Sequence, residues 1–120
     1  MLRVLTVEDN RVYREEFKES LLMHFPSMAI EEAENAEEAL QKINGTRPQL
    51  IFIDIRLPEM NGLQLTQKIK RDFPNVRIAI VTGYDIPEYK QAALQYGANG
   101  FFAKELLKWD EIEAIVKSIE

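Results

Sequence analysis

The sequence predicts an α/β fold: a doubly wound, five-stranded parallel sheet with five helices on its two faces. Three observations carry this expectation. Five short β-prone apolar segments alternate strictly with five segments whose apolar residues recur at helical spacing. The third apolar segment, Leu50-Ile51-Phe52-Ile53, is unbroken, the pattern of a strand covered on both faces. No linker, low-complexity tract or internal repeat interrupts the alternation, and strict alternation implies right-handed βαβ crossovers.

Leu2-Arg3-Val4-Leu5-Thr6-Val7 reads as the first strand and runs into two acids, Glu8 and Asp9. From about Asn10 the period changes, with Tyr13, Phe17, Leu21 and Phe25 forming the inward stripe of a helix that Pro26 closes. Met28 to Ala33 is a second strand, polar enough to lie at an edge. Asn35 and Glu38 start the second helix in the manner of a capping box, and Ala36, Ala39, Leu40 and Ile43 share a face before Asn44-Gly45 is expected to end it. After the third strand, Asn61-Gly62 opens a helix with Leu65, Ile69 and Phe73 inward, Lys68, Lys70 and Arg71 outward, and Pro74 as its stop. Val76 to Val81 is the fourth strand and ends at Thr82-Gly83. Tyr89, Ala92, Ala93 and Tyr96 mark a helix face capped by Gly97. Gly100 to Ala103 is a short fifth strand that ends at Lys104, and Ile112, Ile115, Val116 and Ile119 line a last helix from about Asp110.

Composition narrows the function. With 120 residues, 46% hydrophobic and 29% charged, the expectation is one soluble globular domain, residues 1–120, with a single real core. No apolar run has the length of a membrane span and the amino terminus lacks signal-peptide regions, so a cytoplasmic location is expected. The absence of Cys removes disulfides, thiolate catalysis and Cys-based zinc sites. A net charge of −5 argues against nucleic-acid binding by this segment. Any DNA-binding part is expected outside it.

The polar residues that end the strands carry the chemistry. In a doubly wound sheet the ligand crevice lies outside the carboxyl ends of the strands, which brings together Glu8-Asp9, Asp54, Thr82 and Lys104. For Asp54 alone a turn or capping aspartate is the plain alternative. Its company raises it, because three neighbouring carboxylates repel unless positive charge compensates them and Lys104 alone falls short. A divalent cation is implied, and oxygen-only donors favour Mg²⁺ over zinc. A lysine, a hydroxyl and Mg²⁺ beside a carboxylate form a phosphoryl-transfer arrangement in which Asp54 can be the nucleophile.

On these residues the whole chain resembles the receiver domain of bacterial two-component response regulators, the CheY-like family that serves as a standard example of this fold. The resemblance implies a 2-1-3-4-5 strand order, Asp54 as phosphoacceptor, Asp9 as direct Mg²⁺ ligand, and Glu8 as its neighbour acting largely through water. It further implies the backbone carbonyl of Arg56 as a metal ligand, Lys104 as the phosphoryl-binding lysine, Thr82 as the switch hydroxyl and Phe101 as the switch aromatic. The implied partners are a histidine kinase and an output domain or effector, with a phosphorylation-dependent homodimer through the surface of helix four, strand five and helix five.

Some positions depart from the common pattern. Glu105 follows Lys104 where many receivers have Pro, so a trans bond is expected, and Lys followed by an acid resembles receivers attached to LuxR-like helix-turn-helix domains. Asn61 stands where Asp is frequent, and either caps a helix. Two rivals of other classes fit less well. A haloacid-dehalogenase-like phosphohydrolase wants a second acid two residues after its nucleophile, where Arg56 stands. A flavodoxin-like flavin binder wants a Gly-, Ser- or Thr-rich first loop, and Glu8-Asp9 would repel the phosphate. His24, Trp109, the Met residues and the Lys68, Lys70, Arg71 cluster read as packing or solvated surface.

Overall fold

In the computed structural model, which describes residues 1–119, the strands are β1 (Arg3–Val7), β2 (Ala29–Ala33), β3 (Leu50–Ile53), β4 (Arg77–Thr82) and β5 (Gly100–Ala103). The helices between and after them are α1 (Arg11–His24), α2 (Ala36–Thr46), α3 (Gly62–Asp72), α4 (Pro87–Gln95) and α5 (Trp109–Ile119). All strand pairs are parallel and the order is β2-β1-β3-β4-β5. The order reverses between β1 and β3, as the ligand crevice of a doubly wound sheet requires.

Alternating side chains divide the core between the two faces. Leu5, Val7, Ile51, Ile53, Ile78 and Ile80 pack with Ala39, Ile43, Leu65, Ile69 and Ala93 of α2, α3 and α4. Val4, Leu50, Phe52, Ala79, Val81 and Phe102 pack with Phe17, Leu21, Ile112 and Val116 of α1 and α5. β3 is buried at every position, as its unbroken apolar run predicts, and the more polar β2 is indeed an edge strand.

Helix starts follow the sequence signals. Asn10, Asn35 and Asn61 each accept a backbone N–H with the side chain; the full capping box forms at Asn61 with Gln64, whereas at Asn35 the expected partner Glu38 turns its carboxylate to Lys42 instead. Gly97 has φ 98° just beyond α4, a conformation glycine adopts without a Cβ penalty.

Two expectations are corrected. Asn44-Gly45 does not end α2, which runs to Thr46 and is capped by Arg47 in left-handed geometry (φ 51°). The last carbonyls are met from β1, since Arg3 Nε donates to Thr46 O and Arg47 O at 3.2 Å each. Lys70 does not simply face solvent. Its Nζ donates to Val76 O at 2.5 Å and its stem lies against Gly97; burial, and secondarily Arg77, holds its pKa below the usual value.

Candidate functional site

Glu8, Asp54 and Lys104 are each the first residue beyond a strand, tied by a hydrogen bond that prolongs the sheet, while Thr82 is the last of β4 and Asp9 follows Glu8. Glu8 N donates to Ala33 O at 3.0 Å, Asp54 N to Val7 O at 3.0 Å and Lys104 N to Thr82 O at 2.8 Å. Their directions are therefore set by the sheet itself. Asp54 is further held from below by α3. Gly62 N donates to Ile55 O at 2.8 Å, and a Cβ at Gly62 would fall 2.2 Å from the Asp54 carbonyl oxygen. Only glycine permits that approach.

Glu8, Asp9 and Asp54 converge, with one carboxylate oxygen of each within 4.8 Å of the others. Glu8 and Asp54 are buried and Asp9 is exposed. Lys104 Nζ lies 2.6 Å from Glu8 Oε1 and 3.5 Å from Asp54 Oδ2. Burial is the main cause that pushes the Glu8 carboxyl up to about 7, against the hydrogen bonds from Lys104 and Asn10. Asp54 is likewise raised by burial, with Lys104 pulling the other way. One ammonium thus leaves the acidic cluster undercompensated, and its all-oxygen donors fit a hard divalent cation.

Thr82 is fully buried at the end of β4, and its Oγ1 accepts the N–H of Tyr84 at 3.1 Å. Phe101 lies in register with Ile80 and packs, partly buried, on the face of α3 and α4. Arg56 is exposed two residues past Asp54. Its side chain reaches across to the β4–α4 loop, with Nη1 donating to Tyr84 OH at 2.9 Å and Cζ 5.0 Å from that ring's centroid. The Lys104–Glu105 bond is trans, as expected. His24 stands apart from the acids and stacks on Trp109 with centroids 3.9 Å apart.

Three contributors escape a reading of strand ends. Asn10 N donates to Glu8 Oε2 at 3.0 Å, and Arg14 Nη1 donates to Glu8 O at 2.7 Å. The face of Tyr13 lies under Lys104, Nζ to centroid 4.3 Å. Tyr13 and Arg14 fall on the first turn of the helix that follows the acids, and that proximity is the signal that could have found them.

Residues 4–117 match the response regulator receiver domain family. The chain belongs to that family. Within this receiver family, the chain is 24% identical over 119 residues to the transcriptional regulatory protein DegU of Brevibacillus brevis, covering 99% of this chain and 49% of that protein. It is 39% identical over 105 residues to a protein-glutamate methylesterase/protein-glutamine glutaminase of Geobacillus kaustophilus, covering 86% of this chain and 30% of that protein. The chain thus spans at most about half the length of these relatives. Among solved structures, the response regulator TrrA of Thermotoga maritima, in complex with Mg(2+)-BeF, superposes with a TM-score of 0.85 at 30% identity over all of both chains. This receiver is a signalling domain of the two-component response regulators, with the CheY-like fold and the 2-1-3-4-5 order expected of it. No helix among the described residues is long and apolar enough to cross a membrane.

Proposed function

We propose that Asp54 accepts a phosphoryl group from a phosphohistidine of a histidine kinase, in a Mg²⁺-dependent reaction, and that the change alters the α4-β5-α5 surface. The observation that carries this reading is the convergence of Glu8, Asp9 and Asp54 with Lys104 between Glu8 and Asp54. An Asp54 carboxylate oxygen attacks phosphorus, the P–N bond to the donor imidazole breaks, and the imidazole leaves with the electron pair. Glu8, Asp9, Asp54 and the Arg56 carbonyl are the groups that would hold Mg²⁺. When bound, the ion would neutralise charge on the transferring phosphoryl oxygens. Lys104 would supply a second positive charge to those oxygens, and Thr82 would donate its hydroxyl to one of them. The TrrA complex with Mg(2+)-BeF supports the cation and the phosphoryl-like occupant by analogy.

The output follows from the same residues. Thr82 moving toward a phosphoryl oxygen would free space beside β4 for the Phe101 ring. The exposed surface of α4, β5 and α5 would then engage a second receiver or release an attached output domain, and the similarity to the transcriptional regulatory protein DegU supports an output in transcription. The cytoplasm, where such regulators work, is the location this reading requires.

Incubation with acetyl phosphate and Mg²⁺, followed by intact-mass measurement, tests the reading. The expected adduct is one phosphoryl group, labile in base, absent without Mg²⁺ and absent in Asp54→Asn. An adduct that persists in Asp54→Asn overturns the assignment.

A further inference from the structure

An ammonium group has three N–H donors, and around Lys104 three neighbours receive them. Two are the carboxylates of Glu8 and Asp54, at 2.6 and 3.5 Å. The third is the aromatic face of Tyr13, whose centroid lies 4.3 Å from Nζ, well inside the reach of a cation–π contact. Tyr13 is itself fixed on several sides. Its N–H donates to the Asn10 side chain at 3.1 Å, and Asn10 N donates in turn to Glu8 Oε2 at 3.0 Å. Its ring stacks on Phe17, which meets Phe52 edge-on.

We propose that Tyr13 is a positioning residue for Lys104, holding the ammonium over the acidic crevice through its ring rather than its hydroxyl. The inference rests on the reading of Asp54 as phosphoryl acceptor. Under that reading, both charged partners of Lys104 are groups the reaction draws on, since Glu8 and Asp54 would serve the cation and Asp54 would become an acyl phosphate. The ring is the one partner that neither the cation nor the phosphoryl group claims. Lysine has a long, rotamer-rich stem, and this side chain is 20% exposed; without the ring its charged head would be free to turn toward water. The Tyr13 hydroxyl is buried without a hydrogen-bond partner, so the aromatic face is the part of the residue that engages the site.

Two measurements decide the matter. In the metal-free protein with no phosphodonor, the ε-methylene protons of Lys104 should show an upfield ring-current shift. That shift should persist in Tyr13→Phe and vanish in Tyr13→Leu, with Tyr13→Met as a second aliphatic variant. With acetyl phosphate and Mg²⁺, Tyr13→Phe should react within about twofold of the natural rate and the aliphatic variants roughly 2- to 30-fold more slowly, the range of a cation–π contact. Unshifted Lys104 protons in the natural chain overturn the proposal. So does an aliphatic variant of natural rate, or a Tyr13→Phe variant as slow as Tyr13→Leu. Failure of the natural chain to take up a phosphoryl group would count against the reading of Asp54, whereas the ring-current shift would still decide the role of Tyr13.

Discussion

The phenol of Tyr13 shows how far one residue's surroundings reach. Burial, then the nearby charges of Glu8, Asp54 and Glu16, push it up from its usual 10.0 to about 12. The folded state therefore keeps its proton over a range in which the unfolded chain has lost it. The resulting contribution to stability is complete below pH 10 and drains away as pH rises toward 12. In alkaline denaturant titrations, Tyr13→Phe should lose less stability than the natural chain across that window, and the difference absorbance of the two folded proteins should show one phenol ionising near the upper end. Equal losses would mean that the ring is more hydrated than its packing indicates. The same residue marks what the sequence conceals. Asp54, Thr82 and Lys104 were legible because each ends an apolar strand, and strand ends of a doubly wound sheet share one crevice. Tyr13 falls in register with Phe17, Leu21 and Phe25, and a helical stripe reports only that a residue faces inward, not which polar group it will meet there.

At the scale of elements, strands and helix starts were legible because their signals are local: β-prone apolar runs, and Asn side chains that cap the next turn. The end of α2 was not. Its stop depends on Arg3 reaching from β1 to Thr46 and Arg47, a tertiary contact that outweighs the turn preference of Asn44-Gly45. The pairing of two loops was equally hidden, since Arg56 and Tyr84 are 28 positions apart and meet only because β3 and β4 are neighbours. Their hydrogen bond and stacked contact bridge the β3–α3 and β4–α4 loops, one residue on each loop two positions past Asp54 and Thr82. We expect this bridge to screen a phosphoryl group on Asp54 from water and so to slow its hydrolysis. Loss of one such hydrogen bond corresponds to about a 2- to 10-fold faster decay of the phosphorylated protein. Tyr84→Ala, alone and with Arg56→Ala, should show it in the loss of the intact-mass adduct with time; an unchanged or slower decay would remove the steric account.

For the whole molecule, the site and the proposed output surface are joined by β4 and β5. Thr82 and Phe101 sit on these neighbouring strands, and Phe101 is in register with Ile80, on the face covered by α3 and α4. Complete burial of a Phe side chain stabilises by about 1.5–3 kcal/mol, but Phe101 is already partly buried, so only part of that difference separates the two ring positions. About 1 kcal/mol suffices to change a two-state ratio roughly fivefold. Phe101 also has no hydroxyl to anchor an outward position, so an inward population should exist before any phosphoryl group arrives, and phosphorylation should enlarge it rather than create it. The surface proposed to change carries Leu94, half exposed at 51%, beside Phe101 and Ile115 in a groove between α4 and α5. With beryllium fluoride and Mg²⁺ as the phosphoryl mimic, amide exchange should slow across residues 83–119, and sedimentation should show stronger self-association. Phe101→Ala should abolish both effects while leaving phosphoryl uptake at Asp54 intact. Exchange changes confined to the Asp54 loop, with no change in association, would place the output on another face of the receiver.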